Sequence, residues 1–149
     1  MKSKIEEITL KANAESLEKT FSKMATELYN LVIEVEEIDL ISTRTIILRS
    51  RDLKNLLYQF LKRLFDLANN DLFVLSSVKS LTIEQISEEY MLNSILIGDK
   101  MKPEYKVKDI IKQITDRNIL IKEDLQGTHA QINLVIERRN VQEENKNEV

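Results

Sequence analysis

The stretch ILIKEDLQGTHAQINLVIE, residues 119–137, alternates apolar and polar side chains on both sides of a single glycine. Apolar residues recur at every second position from Ile119 to Ile121 and again from Ala130 to Ile136. A period of two is typical of β-strands, and a glycine such as Gly127 readily adopts turn conformations. The stretch therefore predicts a β-hairpin near the end of the chain.

Composition sets the broad class of the protein. The 149 residues are 42% hydrophobic and 32% charged, which is enough apolar material for a packed core. Cysteine is absent, so disulfides, thiolate metal sites and cysteine nucleophiles are excluded. There is no run of about 18 apolar residues, and the N-terminus lacks the apolar core of a signal peptide. These features predict a cytoplasmic protein without a membrane span.

Charge is segregated along the chain, although the formal total is only −3. Residues 1–40 carry 5 basic and 9 acidic side chains, net −4, and residues 67–99 carry 1 and 5, also net −4. Residues 41–66 carry 6 basic and 2 acidic side chains, and residues 100–122 carry 7 and 3, so each is net +4. The two positive stretches are either parts of one basic surface or ordinary solvated helix faces.

The first 40 residues carry a heptad pattern. Nine apolar positions from Leu10 to Ile38 are spaced alternately by four and three residues, without an intervening glycine or proline. This narrow stripe is typical of a helix that pairs with one other helix, either its copy in a second chain or the next helix in this chain. We expect the former, a homodimer. The predicted dimerisation residues are Leu10, Leu17, Phe21, Met24, Leu28, Leu31, Val35 and Ile38.

Residues 51–69 predict a second helix. Their apolar side chains follow the broader pattern of a helix in the middle of a core. The other predicted elements are a linker at 41–50, a strand at 72–75, a short helix at 82–92, a third helix from Pro103 to Asn118 and a polar tail at 138–149.

The order of these elements after residue 50 resembles that of a winged-helix domain. The stretch VKDIIKQITDRNILIKEDLQGTHAQINLVIE, residues 107–137, is similar to the usual end of that fold: a helix, a strand, a glycine-bearing wing and a returning strand. The long connection before the third helix resembles the C-terminal winged helix of archaeal origin-recognition initiator proteins. The resemblance covers about residues 50–137. It implies a winged-helix domain at 51–137 that ends in a β-hairpin. Together with the long coiled-coil-like helix that the heptad pattern predicts at 1–40, the predicted fold is mainly α.

The resemblance also implies that the third helix enters the major groove of double-stranded DNA. Lysines around this helix would contact phosphates, while Tyr105 and Gln113 would face bases. The predicted DNA-binding residues are Lys102, Tyr105, Lys106, Lys108, Lys112, Gln113, Arg117 and Lys122. The cations at 49–54 either contact phosphate beside this helix or pair with the acidic first helix, and we favour the pairing.

No catalytic motif accompanies these patterns. His129 is the single histidine and has no second metal ligand near it in sequence, and two glycines provide no glycine-rich phosphate loop. We therefore expect a non-enzymatic protein without a metal or cofactor. The predicted function is that of a dimeric DNA-binding protein in transcription regulation, DNA replication or genome maintenance. The alternative is an interaction subunit whose winged helix and acidic helix dock protein partners without binding DNA.

Overall fold

Two antiparallel β-sheets and two helices form the fold of residues 3–139, the part of the chain that the computed structural model describes. In chain order the elements are β1 (Ser3–Ala14), α1 (Leu17–Val32), a 3₁₀ turn (Val35–Glu37), β2 (Ser42–Ser50), α2 (Leu53–Asn70), β3 (Phe73–Ile86), β4 (Glu89–Lys100), β5 (Ile110–Ile114), β6 (Leu120–Asp124) and β7 (Gly127–Arg139). Strands hold 52% of these residues and helices 27%. The prediction of a mainly α fold is therefore wrong.

β7 is the central strand of a four-stranded sheet. β1 pairs with β7 along its whole length, while β5 and β6 pair with successive parts of its other edge. Every second residue of β7 from Thr128 to Ile136 is buried, and the residues between them are half-buried. The predicted hairpin is present as β6 and β7. It is built into a four-stranded sheet, however, because β1 and β5 also pair with β7.

β4 is the central strand of the second sheet, between β2 and β3. Ile46 and Leu48 of β2 and Leu92 and Leu96 of β4 are buried on its inner face. The segment 41–50, predicted as a linker, is thus mostly strand. The short helix predicted at 82–92 is instead the β3–β4 hairpin.

Both helices contact strands of both sheets, so the core lies between the sheets and the helices. α1 begins after Ser16, whose hydroxyl accepts a hydrogen bond from the Lys19 backbone N–H at 3.1 Å. α2 begins after Asp52, whose carboxylate accepts one from the Lys54 backbone N–H, also at 3.1 Å. Such caps satisfy N–H groups that have no partner within the helix. Neither α1 nor α2 is long and apolar enough to cross a membrane.

The predicted coiled-coil helix at 1–40 is wrong, because this segment contains a strand, a 16-residue helix and a 3₁₀ turn. The heptad spacing runs through all three. Leu10 lies in β1 and is buried. The next residue of β1 that points into the core is Ala12, two positions later, as strand alternation requires. Only the apolar residues of the stripe that lie in α1 owe their spacing to a helix.

The winged-helix resemblance is also wrong. Residues 3–139 contain no third α-helix after α2. The segment from Pro103 to Asp109 is a loop, and Ile110–Ile114 is the strand β5, which pairs with β7. The lysine-rich segment that was predicted to enter a DNA groove therefore has no helical face to present.

Candidate functional site

The outer face of the four-stranded sheet, which points away from the buried side of β7, carries a connected set of polar side chains. They come from β1, from β7 and from the loop between β5 and β6. We call this set the polar face. Its members are Glu7, Thr9, Arg117, Asn118, Gln131 and Asn133. Strand alternation explains the arrangement, because residues two apart in β1 and in β7 point to the same side of the sheet.

Glu7 is at the centre of the charged part of the polar face. Arg117 donates to both carboxylate oxygens of Glu7, from Nη2 at 2.7 Å and from Nε at 3.2 Å. Asn133 adds a third bond, from Nδ2 to Oε2 of Glu7 at 2.6 Å. A two-point bond between arginine and a carboxylate fixes the orientation of both groups.

Asn133 connects this ion pair to the remaining side chains. Its Oδ1 accepts hydrogen bonds from Thr9 Oγ1 at 2.8 Å and from Asn118 Nδ2 at 3.1 Å. Gln131 Nε2 then donates to Asn118 Oδ1 at 2.9 Å. The amides are therefore held in set orientations, which makes the polar face a preformed surface.

The loop that carries Arg117 and Asn118 is anchored to β7. The buried Thr115 donates from Oγ1 to the Asn133 carbonyl at 2.6 Å, and the Asn133 N–H donates to the Arg117 carbonyl at 3.0 Å. Asn118 has φ +58°, in the left-handed region that asparagine tolerates better than most residues. The backbone of the loop thus holds the two side chains in place.

Hydrogen bonds from Arg117 and then from Asn133 lower the pKa of Glu7 below that of an ordinary glutamate. Ionised Glu7 therefore stabilises the folded state above its unfolded pKa, about 4.3, and this contribution disappears as pH falls through the lower folded pKa.

We predict a pH-dependent difference in stability between the wild type and Glu7→Gln. At pH 7 the variant should melt at a lower temperature, because it lacks the charged acceptor for Arg117. The gap should narrow as pH falls below about 4.3, the unfolded pKa, and should close only below the lower folded pKa of Glu7, where the wild-type carboxyl is protonated as well. Thermal unfolding followed by circular dichroism across this range tests the prediction. If the difference in melting temperature stays constant even at a pH where Glu7 is fully protonated, the prediction is wrong.

The polar face is suited to binding and contains no evident reaction centre. Its groups are an ion pair, three amides and a hydroxyl, and no nucleophile lies beside a general base. Residues 3–139 contain no group of three or more His, Asp or Glu side chains placed to hold a metal ion. The arrangement offers oriented donors and acceptors to a partner surface.

The residues predicted to bind DNA do not form one surface. Four of them lie on β5, on β6 or in the loop between these strands, at or beside the polar face: Lys112, Gln113, Arg117 and Lys122. The other four lie in the loop between β4 and β5: Lys102, Tyr105, Lys106 and Lys108. Several are already paired with carboxylates, for example Lys108 with Glu34 at 3.5 Å.

Tyr105 and the half-buried Lys102 belong to a network around the buried Asp99. Tyr105 is 9% exposed, and its hydroxyl donates to Asp99 Oδ2 at 2.6 Å while accepting the Asp39 backbone N–H at 3.1 Å. Lys102 Nζ lies 3.0 Å from the same Asp99 oxygen. The bonds from Tyr105 and then from Lys102 lower the pKa of Asp99, and the bond to Asp99 raises the pKa of Lys102. These side chains fasten the β4–β5 loop to the core.

The residues predicted to form a dimer seam lie in the interior of one chain. Six are buried: Leu10, Phe21, Met24, Leu28, Val35 and Ile38. The other two, Leu17 and Leu31, are half-buried against the same core. The homodimer stays a prediction, and a second copy would have to use other side chains.

The sequence reasoning missed Glu7 and Asn133, the two residues that hold the polar face together. They are 126 positions apart and meet because β1 and β7 are neighbouring strands. The alternation of Glu7, Thr9, Lys11 and Asn13 in β1 was the available signal, and the heptad interpretation of the same segment concealed it.

The fold is that of a small α+β protein, and the outer face of its four-stranded sheet carries the preformed polar face. The Archease protein family (MTH1598/TM1083) matches residues 7–136, and the chain belongs to this family. This finding overturns the winged-helix assignment and the predicted role as a DNA-binding regulator.

Relatives from archaea are similar over most of the chain. "Protein archease" of Pyrococcus furiosus is 29% identical over 116 residues, which is 77% of this chain and 81% of that protein. "Protein archease" of Methanosarcina mazei is 27% identical over 127 residues, 85% of this chain and 87% of that protein. The solution structure of Methanobacterium thermoautotrophicum protein 1598 has a TM-score of 0.73 at 19% identity, covering 89% of this chain and 96% of that chain. The two proteins share the fold.

Proposed function

We propose that this protein is a non-catalytic cofactor of an RNA ligase in tRNA processing and that it acts by binding the ligase. The observation that carries the proposal is the family match across residues 7–136. Archease proteins are non-catalytic and work with partner proteins, in RNA ligation and tRNA processing. Of the two functions expected from the sequence, the interaction subunit is the one that this membership supports. The cytoplasmic location stays a prediction.

We assign the docking of the ligase to the polar face. The network of Glu7, Arg117 and Asn133 is held in place before any partner arrives, so little side-chain freedom would be lost on binding. Exposed apolar side chains border it, with Ile5 63% and Ile110 37% exposed on either side of Glu137. A polar centre with apolar neighbours is a composition that protein interfaces commonly use.

A ligation assay tests this proposal. The RNA ligase of the same organism is given a substrate RNA with cut ends, with and without the full-length protein. We expect the rate of joining to rise at least about fivefold, the lower end of usual coupling between sites, and no joining by the protein alone. An unchanged rate at every protein-to-ligase ratio would overturn the proposed function.

The docking face is tested separately by measuring the affinity of the protein for the ligase. The double variant Glu7→Ala, Arg117→Ala should bind about tenfold more weakly, the effect of losing an important contact. The matched control is Glu15→Ala, Lys19→Ala, which removes another exposed ion pair, at the start of α1. If both variants bind as well as the wild type, the polar face is not the docking surface.

A further inference from the structure

Three exposed arginines, Arg49, Arg51 and Arg63, differ from the other arginines of the described residues. Their guanidinium groups donate no hydrogen bond to residues 3–139 and lie more than 4 Å from every carboxylate there. The other four all have partners. Arg117 and Arg138 bind carboxylates, Arg139 donates to a backbone carbonyl, and Arg44 does so while lying over the Phe73 ring at 5.1 Å.

The three arginines lie near the point where β2 leads into α2, with the Arg49 side chain on the outer face of β2, opposite the buried Ile46 and Leu48. Gln59 of α2 donates from Nε2 to the Arg49 carbonyl at 3.3 Å, and Ser50 Oγ donates to Asn55 Oδ1 at 3.0 Å. Arg51 follows Ser50 directly. Arg63 lies one helical turn beyond Gln59, on the same face of α2. We call Arg49, Arg51 and Arg63 the arginine ridge.

The carboxylates near the arginine ridge either bind other groups or lie beyond ion-pair distance of its guanidinium groups. Asp52 caps α2 through the Lys54 N–H at 3.1 Å, and Asp66 pairs with Lys62 at 2.9 Å. Glu89 lines the same shallow cavity as Arg49, but its carboxylate oxygens lie more than 4 Å from the Arg49 guanidinium nitrogens. The pairing of the 49–54 cations with the acidic first helix, which the sequence favoured, is therefore absent among residues 3–139.

We propose that the arginine ridge binds the phosphodiester backbone of the RNA on which the partner ligase acts. This inference rests on the proposed function. A guanidinium group donates two parallel hydrogen bonds to a phosphate, and arginine without a protein partner is available for that contact. RNA supplies successive phosphates, so several arginines on one ridge can bind a single strand together.

The position of the ridge fits an RNA held beside a docked enzyme. An open cavity of about 520 Å³ lies between the start of α2 and the β5–β6 loop. It is lined by Asn55, the hydrogen-bond partner of Ser50, and by Asn118 of the polar face. The ridge and the polar face are thus neighbours that share no strand or helix. Two carboxylates, Asp52 and Asp116, and one cation, Lys54, also line this cavity. The net negative charge disfavours phosphate within it, which leaves the arginines as the place where the backbone binds.

Fluorescence anisotropy with a labelled single-stranded RNA oligonucleotide, measured without the ligase, tests the inference. The full-length protein should bind RNA at low salt and more weakly at physiological salt. Arg49→Ala, Arg51→Ala, Arg63→Ala should weaken binding more than about tenfold. It should also reduce the slope of log K against log salt by about 2, since each phosphate contact to a single strand contributes about 0.7.

The matched control removes three other exposed cations, Lys79, Lys100 and Lys106, which form no ion pair within residues 3–139. If total charge alone drives binding, this control will weaken RNA binding as much as the arginine variant does, and the inference is overturned. It is overturned as well if neither RNA affinity nor its salt slope changes in the arginine variant. All these substitutions are exposed, so the variants should keep the wild-type melting temperature.

The ligation assay separates this inference from the proposed function. If the arginine variant loses RNA binding but keeps its affinity for the ligase, the ridge acts on RNA as proposed. If it keeps RNA binding and loses affinity for the ligase, the ridge contacts an acidic protein surface and the inference is wrong. If the wild type stimulates the ligase but does not bind RNA even at low salt, the inference fails while the proposed function stands.

Discussion

Gly98→Ala is expected to lower the free energy of unfolding by about 3 kcal/mol or more, at the upper end of overpacking effects. A Cβ at this position would lie 2.0 Å from the Val74 backbone oxygen and 3.0 Å from the Phe73 ring. The first contact is with the backbone of β3, which cannot move aside as a flexible side chain can. Gly98 also sits in the central strand β4, where its carbonyl accepts the Ile41 N–H at 2.8 Å.

The loss should appear as a melting temperature lower by about 6–12 °C, since 1 kcal/mol shifts the midpoint of a domain of this size by about 2–4 °C. Circular dichroism is the measurement, and Asn93→Ala is the control, because Asn93 is an exposed residue of the same strand. Equal midpoints for Gly98→Ala and the control would show that β3 and β4 can separate without cost.

Gly98 also connects the sheet to the β4–β5 loop. The next residue, Asp99, is buried and accepts the Tyr105 hydroxyl at 2.6 Å and the Lys100 N–H at 2.8 Å. A shift of β4 away from β3 would therefore disturb the network that fastens the loop. The loop ends where β5 begins, and β5 leads to Arg117, so backbone packing at Gly98 supports the polar face from a distance.

The parts of the fold that the sequence predicted well have local causes. α2 is recognisable because five fully buried side chains recur along one face: Leu56, Leu57, Phe60, Leu61 and Leu64. The β6–β7 hairpin is recognisable because its alternation continues on both sides of Gly127, which has φ +131°. In both cases the neighbours in sequence are also the neighbours in the structure that determine the conformation.

The parts of the fold that were predicted wrongly depend on contacts between segments that are distant in sequence. Ile83 and Ile86 have the spacing of a helix face, yet they lie in β3, and Ile86 is 51% exposed beside the turn into β4. Strand pairing over the long β3–β4 hairpin outweighs the weak helical pattern. The prediction for β1 was wrong for a similar reason, since its partner strand β7 comes more than 100 residues later. The contact between Glu7 and Asn133 could not be predicted for the same reason, although the alternation in β1 was visible.

Phe21→Ala is expected to lower the free energy of unfolding by about 3–5 kcal/mol, the usual cost of removing a buried phenylalanine. Phe21 of α1 is fully buried, and its ring stacks on that of Phe60 of α2 with centroids 6.1 Å apart. Because both helices contact both sheets, the cavity would open at the centre of the core. Phe21→Leu, which fills part of this space, should lose clearly less stability.

The dependence of the melting temperature on protein concentration shows whether the heptad stripe packs within one chain or between two chains. If Phe21 packs within one chain, as in the structure, wild type and variant should each melt at the same temperature in dilute and concentrated samples. If the stripe were a seam between two chains, the wild-type midpoint would rise with concentration, because association stabilises the folded state by mass action. The loss caused by Phe21→Ala would then include the loss of the dimer. Concentration-independent melting together with a large loss of stability would leave Phe21 as a core residue of a single chain.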